Sequence, residues 1–199
     1  MAVVTFTEAG KVCTGFSLPY VALYANSGGT VTYSSGQKLA RGVNVTIEPN
    51  EVTDDNIFYA DNAAAESERG TFTGATTTLT VDGLLPAAEA LIMGLGSADA
   101  DGGYEYNDNQ AIPYVGIGFV ARYRSGGEDS FTPIVLYKNS FSPIGTSAAT
   151  QEEQIDWQTQ ELTANTLRSD AADHPWKYVG ASYETEAEAE AIVKTKLSI

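Results

Sequence analysis

Apolar and polar residues alternate along much of the chain. In "GVNVTIEP", Val43, Val45 and Ile47 alternate with Asn44, Thr46 and Glu48. Successive side chains of a strand point to opposite faces, so this stretch predicts a strand with one apolar and one polar face, ended by Pro49. "GTFTGATTTLTVDG" repeats the pattern. Thr76, Thr78, Thr80 and Asp82 oppose Thr77, Leu79 and Val81, and Gly83 closes the run. "QIDWQTQELTANTLR" predicts a third such strand, with Ile155 and Trp157 on one face and Asp156 and Gln158 on the other. Residues 21–24 predict a short strand running into a turn at 26–29, and "TVTYSSGQKLARG" and "WKYVG" predict weaker extended pieces. "GIGFVARYRSGGEDSFTPIVLYKNSFSP" has two apolar, aromatic-rich arms, near 114–124 and 131–141, around the polar turn "SGGED". That is a hairpin signal.

The period changes twice. In "LLPAAEALIMGLG", Leu84, Ala87, Ala88, Leu91, Ile92 and Leu95 recur at helical spacing, with Pro86 near the start and Gly94 and Gly96 at the end. Proline at the first turn and glycine after the last predict a short amphipathic helix lying on the sheet. The tail "SYETEAEAEAIVKTKLSI" predicts a second helix over 185–198. Thr185 and Glu188 fit a capping box, and Ala189, Ile192, Val193 and Leu197 form an apolar stripe. Acids crowd its first turns and Lys194 and Lys196 its last, matching the helix dipole.

Residues 50–70 break the alternation. Between Arg41 and Arg69 lie seven acids (Glu48, Glu51, Asp54, Asp55, Asp61, Glu66, Glu68) and no base, and within 50–70 only "NIFYA" is apolar. The segment predicts a long, partly extended excursion, and a loop this long in a compact domain is usually functional or disordered. The reading is one mainly β domain over 1–199: an antiparallel β-sandwich or partial barrel flanked by a short helix, with a long acidic loop at 50–70 and a C-terminal helix.

Composition narrows the chemistry. The 199 residues carry 26 acids against 11 Lys and Arg, a net charge of −15. Such a surface repels nucleic-acid phosphate and disfavours ordinary DNA or RNA binding. A single cysteine, Cys13, excludes an internal disulfide and is expected to be a small, half-buried side chain. The N-terminus has no basic start followed by an apolar core, and no run reaches the roughly 20 apolar residues of a membrane helix. His174, the only histidine, sits in the polar loop "SDAADHPWK", where a surface or locally hydrogen-bonded role is expected. One His and one Cys supply at most half of a usual zinc ligand set. "DADGG" at 99–103, followed by Glu105, hints at a calcium loop but lacks its terminal glutamate and flanking helices. Carboxylates are plentiful, yet none is singled out as a catalytic pair. Gly116 and Gly118 lie inside a strand-like run, not between strand and helix, so they mark close backbone approach at a bulge or subunit contact and not a phosphate loop. No catalytic residue, cofactor or metal ligand is expected.

The order of these motifs over about two-thirds of the chain resembles the major tail protein, or tail tube protein, of long-tailed siphophages. The resemblance is carried by the glycine-containing strand "PYVGIGFVARYR", the second arm ending "YKNSFSP", the polar connection "TQEEQI", the strand "DWQTQEL", Trp176 and the helix "EAEAIV", with "TVTYSSGQKLARGVNVTIEPNE" resembling the family's early strands. It implies a non-enzymatic virion protein assembled in the host cytoplasm. Six copies would form a ring, sheets joining edge to edge, and rings would stack into a tube through which DNA leaves without specific binding. The implied partners are further copies, the tape measure, terminator and tip proteins, and passing DNA, with no membrane. On this reading Glu48, Asp82, Asp156 and Gln158 are candidates to face the bore. Glu51, Asp54, Asp55, Phe58, Tyr59, Glu66 and Glu68 are candidates for ring-to-ring contact. Gly116, Gly118, Phe119, Tyr137 and Trp157 are candidates for subunit packing. The rival expectation is a monomeric β-sandwich binding domain for decoration or adhesion, with calcium assistance at 99–103. A hydrolase using buried carboxylates is a third.

Overall fold

The structure is a computed structural model. It describes residues 3–4, 10–51, 56–61, 63–68, 72–148, 150 and 158–199, and along 51, 56–60 and 63–68 the backbone alone. The described residues form ten strands and two helices: β1 (Val12–Ser27), β2 (Thr30–Lys38), β3 (Gly42–Glu51), β4 (Asn56–Ala60), β5 (Ala63–Glu68), β6 (Phe72–Val81), α1 (Pro86–Met93), β7 (Val115–Ser125), β8 (Glu128–Phe141), β9 (Gln160–Leu167), β10 (Lys177–Val179) and α2 (Glu186–Lys196). The chain is mainly β, as expected. Eight strands make one antiparallel sheet in the order β2-β1-β7-β8-β9-β6-β3, with β10 also on β8. The sheet curls without closing into a barrel, and the Phe16 ring of β1 fills the space that a side chain at Gly42 of β3 would take. β2 and β3 are left as open edges.

The hairpin is β7 and β8. Gly126 and Gly127 turn it at φ 60° and 91°, the left-handed pair that a two-residue hairpin loop requires. Its apolar arms are continuous because both faces are covered. Val115, Ile117, Phe119 and Ala121 point into the main core with Leu79, Val81, Leu136, Leu162 and Ala164, where α1 adds Ala88, Ile92 and Met93. Val120 and Val135 face the opposite way, against Ala189 and Val193 of α2 and Leu197 at its C-terminal cap. Thr185 caps α2 by accepting the Glu188 N–H at 3.3 Å, as the capping box predicts.

Four expectations change. β1 is not a short strand at 21–24 but 16 residues long, because its first half pairs with the outer part of β7. Cys13 lies in that half and is exposed, not half-buried. Pro49 does not end β3, which pairs on to Glu51; β3 is an edge strand, where a residue without an N–H can be tolerated. The 50–70 excursion, expected as a partly extended loop, has its extended pieces paired, since β4 and β5 form a separate two-stranded arm between β3 and β6. Neither described helix is long and apolar enough to cross a membrane.

Candidate functional site

Strand register assembles a polar surface. Glu48 of β3 lies beside Thr76 of β6, which lies beside Asn165 of β9, which lies beside Ser140 of β8. The next rows are Thr46, Thr78 and Thr163, then Asn44, Thr80 and Glu161. All these side chains are exposed or half-buried. Their neighbours Thr77, Leu79, Val81, Leu162 and Ala164 are buried on the other face. One side of this four-strand surface is therefore core. The other is a lattice of hydroxyls and amides whose only charges are two glutamates. Beneath it, Thr77 and Thr166 share a hydrogen bond of 2.7 Å, Thr166 donates to Asn139 Oδ1 at 2.6 Å, and Asn139 Nδ2 donates to the carbonyls of Val115 and Leu136. This satisfied buried network ties β6, β9, β8 and β7 together, so the lattice stands on a fixed register.

Each end of the lattice carries an ion pair. At one end Asp82 accepts from the guanidinium of Arg41 and, at 3.0 Å, from its backbone N–H. These bonds hold the Asp82 carboxyl below the usual carboxylate range. Asp82 also borders an open depression of about 580 Å³ with Gln158 and Glu161. At the other end Lys138 Nζ lies 2.7 Å from Asp170, which also accepts from the Tyr24 hydroxyl at 2.9 Å, and the Asp170 pKa is lowered, first by Lys138 and then by Tyr24.

Most other described cations are likewise engaged. Arg122 and Arg124 share Asp129, Lys194 holds Glu190 at 2.8 Å, and Lys11, Lys177 and Lys196 lie over the rings of Tyr123, Trp176 and Tyr178. Most of the described positive charge is thus engaged inside the subunit.

Among the bore candidates, Glu48 lies on the lattice, Asp82 at its end, and Gln158 beside Asp82. Asp156 is outside the described residues. The sequence reading missed Glu161, Thr163 and Asn165, although the alternation of "ELTANTL" carries them. It also missed Arg41, which gives Asp82 a counter-charge.

The packing candidates need correction. A Cβ on Gly116 would stand 2.5 Å from the Tyr33 ring and 2.6 Å from Leu197, and one on Gly118 would stand 2.5 Å from Val193. The close approach is to this chain's own α2 and β2, and Gly116 sits at a register shift of β7, the bulge that the sequence reading offered beside a subunit contact. Phe119 is buried in the core, edge-on to Phe16 at 5.2 Å. Tyr137 is half-buried beneath α2, and its carbonyl accepts from the Tyr33 hydroxyl at 2.8 Å. Trp157 is outside the described residues.

Of the ring-contact candidates, Asp54 and Asp55 also lie outside the described residues. Glu51 closes β3, Phe58 and Tyr59 lie on β4, and Glu66 and Glu68 lie on β5.

The chemistry of the rival readings gains little. The Asp99 carboxylate accepts from the backbone N–H groups of Asp101 and Gly103, at 3.0 and 2.7 Å, so the acidic loop uses that oxygen for its own turn. No group of three or more metal-ligating side chains converges among the described residues. His174 is exposed and its Nδ1 lies 2.9 Å from the Ser169 carbonyl, a local contact. No protein-family model and no curated protein matches the chain.

Proposed function

We propose that this chain is a structural subunit of a phage tail tube, self-assembling into stacked rings around a bore through which DNA passes. The observation that carries the reading is the polar lattice on β3, β6, β9 and the end of β8. A wall of threonine, asparagine and glutamate, backed by a packed core, offers a passing polyanion no cation to hold it. Arg41 and Lys138, which flank that wall, are each bound to a carboxylate, and Arg168 stands beside Lys138 just past the end of β9.

The open edges support the same reading. β2 is a nine-residue edge strand whose one charge, Lys38, stands at its end, whereas β3 carries Glu48, Pro49 and Glu51. An edge with as little guarding charge as that of β2 invites pairing, and closure of several copies into a ring removes the hazard. The β4–β5 arm supplies an element that can reach beyond its own ring.

Sedimentation velocity across a concentration series tests the proposal. The subunit reading expects a discrete multi-subunit species, followed by larger multiples of it. A single monomeric boundary at every concentration, also in the presence of tail-tip complexes as nuclei, would overturn it.

A further inference from the structure

β1 changes face partway along its length. Residues two apart in a regular strand share a face, yet Phe16 packs into the main core while Leu18 and Tyr20 pack on the opposite side with α2. The change falls at a bulge. Ser17 pairs with Val120 and Tyr20 with Gly118, so Leu18 and Pro19 together oppose Phe119. Leu18 stands at φ 53°, a left-handed conformation that a leucine keeps only where its surroundings impose it.

α2 grips both sides of this bulge. Glu186 accepts from the Ser17 hydroxyl. Glu190, about one helical turn further on, accepts from the Tyr20 hydroxyl at 2.5 Å. Lys194 holds Glu190 at 2.8 Å, and its Nζ lies over the Tyr20 ring. Ser17 and Tyr20 are an odd number of positions apart, so in an unbulged strand they would point to opposite faces and α2 could not hold both. The grip therefore favours the bulged register over the regular one. A difference in contacts of that kind is what biases a two-state equilibrium.

The pairing also defines the regular register. With Tyr20 kept opposite Gly118 and the bulge removed, the segment ending at Ser17 slides by one residue. Leu18 then faces Val120, and Ser17 faces Ala121, which now pairs with Phe16. A slip by one residue turns every side chain of the segment to the other face, so Phe16 leaves the core. In the bulged register the Phe16 ring stands edge-on to Phe119 and fills the space beside Gly42, where a Cβ would meet it at 2.1 Å. Gly42 opens β3, so Phe16 forms the seam at which the curled sheet brings β1 to β3.

We propose that α2 is a latch on the register of β1. While Glu186 and Glu190 hold Ser17 and Tyr20, Phe16 closes the seam with β3; release of the helix lets the segment before the bulge slip by one residue and opens the seam. This device stands whether or not the subunit reading does.

The test is nuclear magnetic resonance of the full chain in dilute solution, with Ser17→Ala, Tyr20→Phe and the double variant. Each substitution removes a hydroxyl that α2 holds and keeps the carbon framework. Amides of 12–17 should exchange roughly tenfold faster in each single variant, with the β6–β9 ladder unchanged. In the double variant the cross-strand contact between Phe16 and Ala121 should weaken, and one between position 17 and Ala121 should appear. Unchanged exchange at 12–17 would overturn the latch. Faster exchange with Phe16 still the sole partner of Ala121 would also overturn it, as fraying without a slip. Acceleration spread equally over β6 and β9 would do the same, as a general loss of stability.

Discussion

At the residue scale, the positions under α2 matter most. Gly118 has Val193 and Leu197 where its side chain would be, and Gly116 has Tyr33 and Leu197. Overfilling such contacts costs about 1–3 kcal/mol. Gly118→Val is expected to lose stability in that range in denaturant unfolding; a loss below about 0.5 kcal/mol would mean that α2 shifts freely. Acid provides a second check. Asp82, Asp129, Asp170 and Glu190 all have lowered pKa values, each chiefly through a basic partner: Arg41, Arg124 with Arg122, Lys138 and Lys194. A lowered folded-state pKa gives stability that is full above the ordinary carboxylate value, about pH 4, and is lost as pH falls through the folded value. The thermal midpoint should therefore show no loss from these groups between about pH 5 and 7 and fall below about pH 4, shallowly because the pairs are solvent-exposed. Asp170→Asn should flatten part of that fall, and an unchanged profile would show that the Lys138 pair contributes nothing. The sequence marked Gly116 and Gly118 as places of close approach. It left open a bulge or a subunit contact, because the helix that covers them lies about 70 residues further along the chain; Gly116 does sit at a register shift of β7.

At the element scale, alternation located β3 and β6, the two apolar arms around a polar turn located β7 and β8, and the capping box located α2, because these signals are local. β1 was read too short: "VCTGFS" has no clean alternation, and its strand character comes from pairing with β7. The β4–β5 pairing was missed for a similar reason, since acidic "AAAESE" has little strand propensity and pairs only with its own hairpin partner. The arm gives an element-scale prediction. It makes its own two-stranded sheet, while the β3–β6 ladder stands on other residues. Replacing residues 54–68 by a short glycine–serine turn should leave a folded, cooperative subunit by circular dichroism and thermal melting. It should also stop stacking of rings in electron micrographs. Normal tubes from that variant would remove the arm from ring-to-ring contact.

At the scale of the whole molecule, charge and topology act together. The curled sheet has a core with α1 on its inner side, α2 over part of its outer side, and a bare polar lattice on β3, β6 and β9 that neither helix covers. Most described cations are engaged within the subunit, and the chain carries a net charge of −15. Both features suit a wall facing a polyanion and neither forms a catalytic centre among the described residues. Glu48, Asp82 and the threonines of β6 were legible in sequence as one polar face. Their junction with Glu161, Thr163 and Asn165 was not, because strand order is a property of the folded sheet. The most direct measurement is electron microscopy of the concentrated protein, taken to a helical reconstruction. The expected result is hollow tubes of stacked rings with Thr46, Thr78 and Thr163 lining the bore. Tubes with that face turned outward, or only single-subunit particles even when nucleated by tail tips, would contradict it.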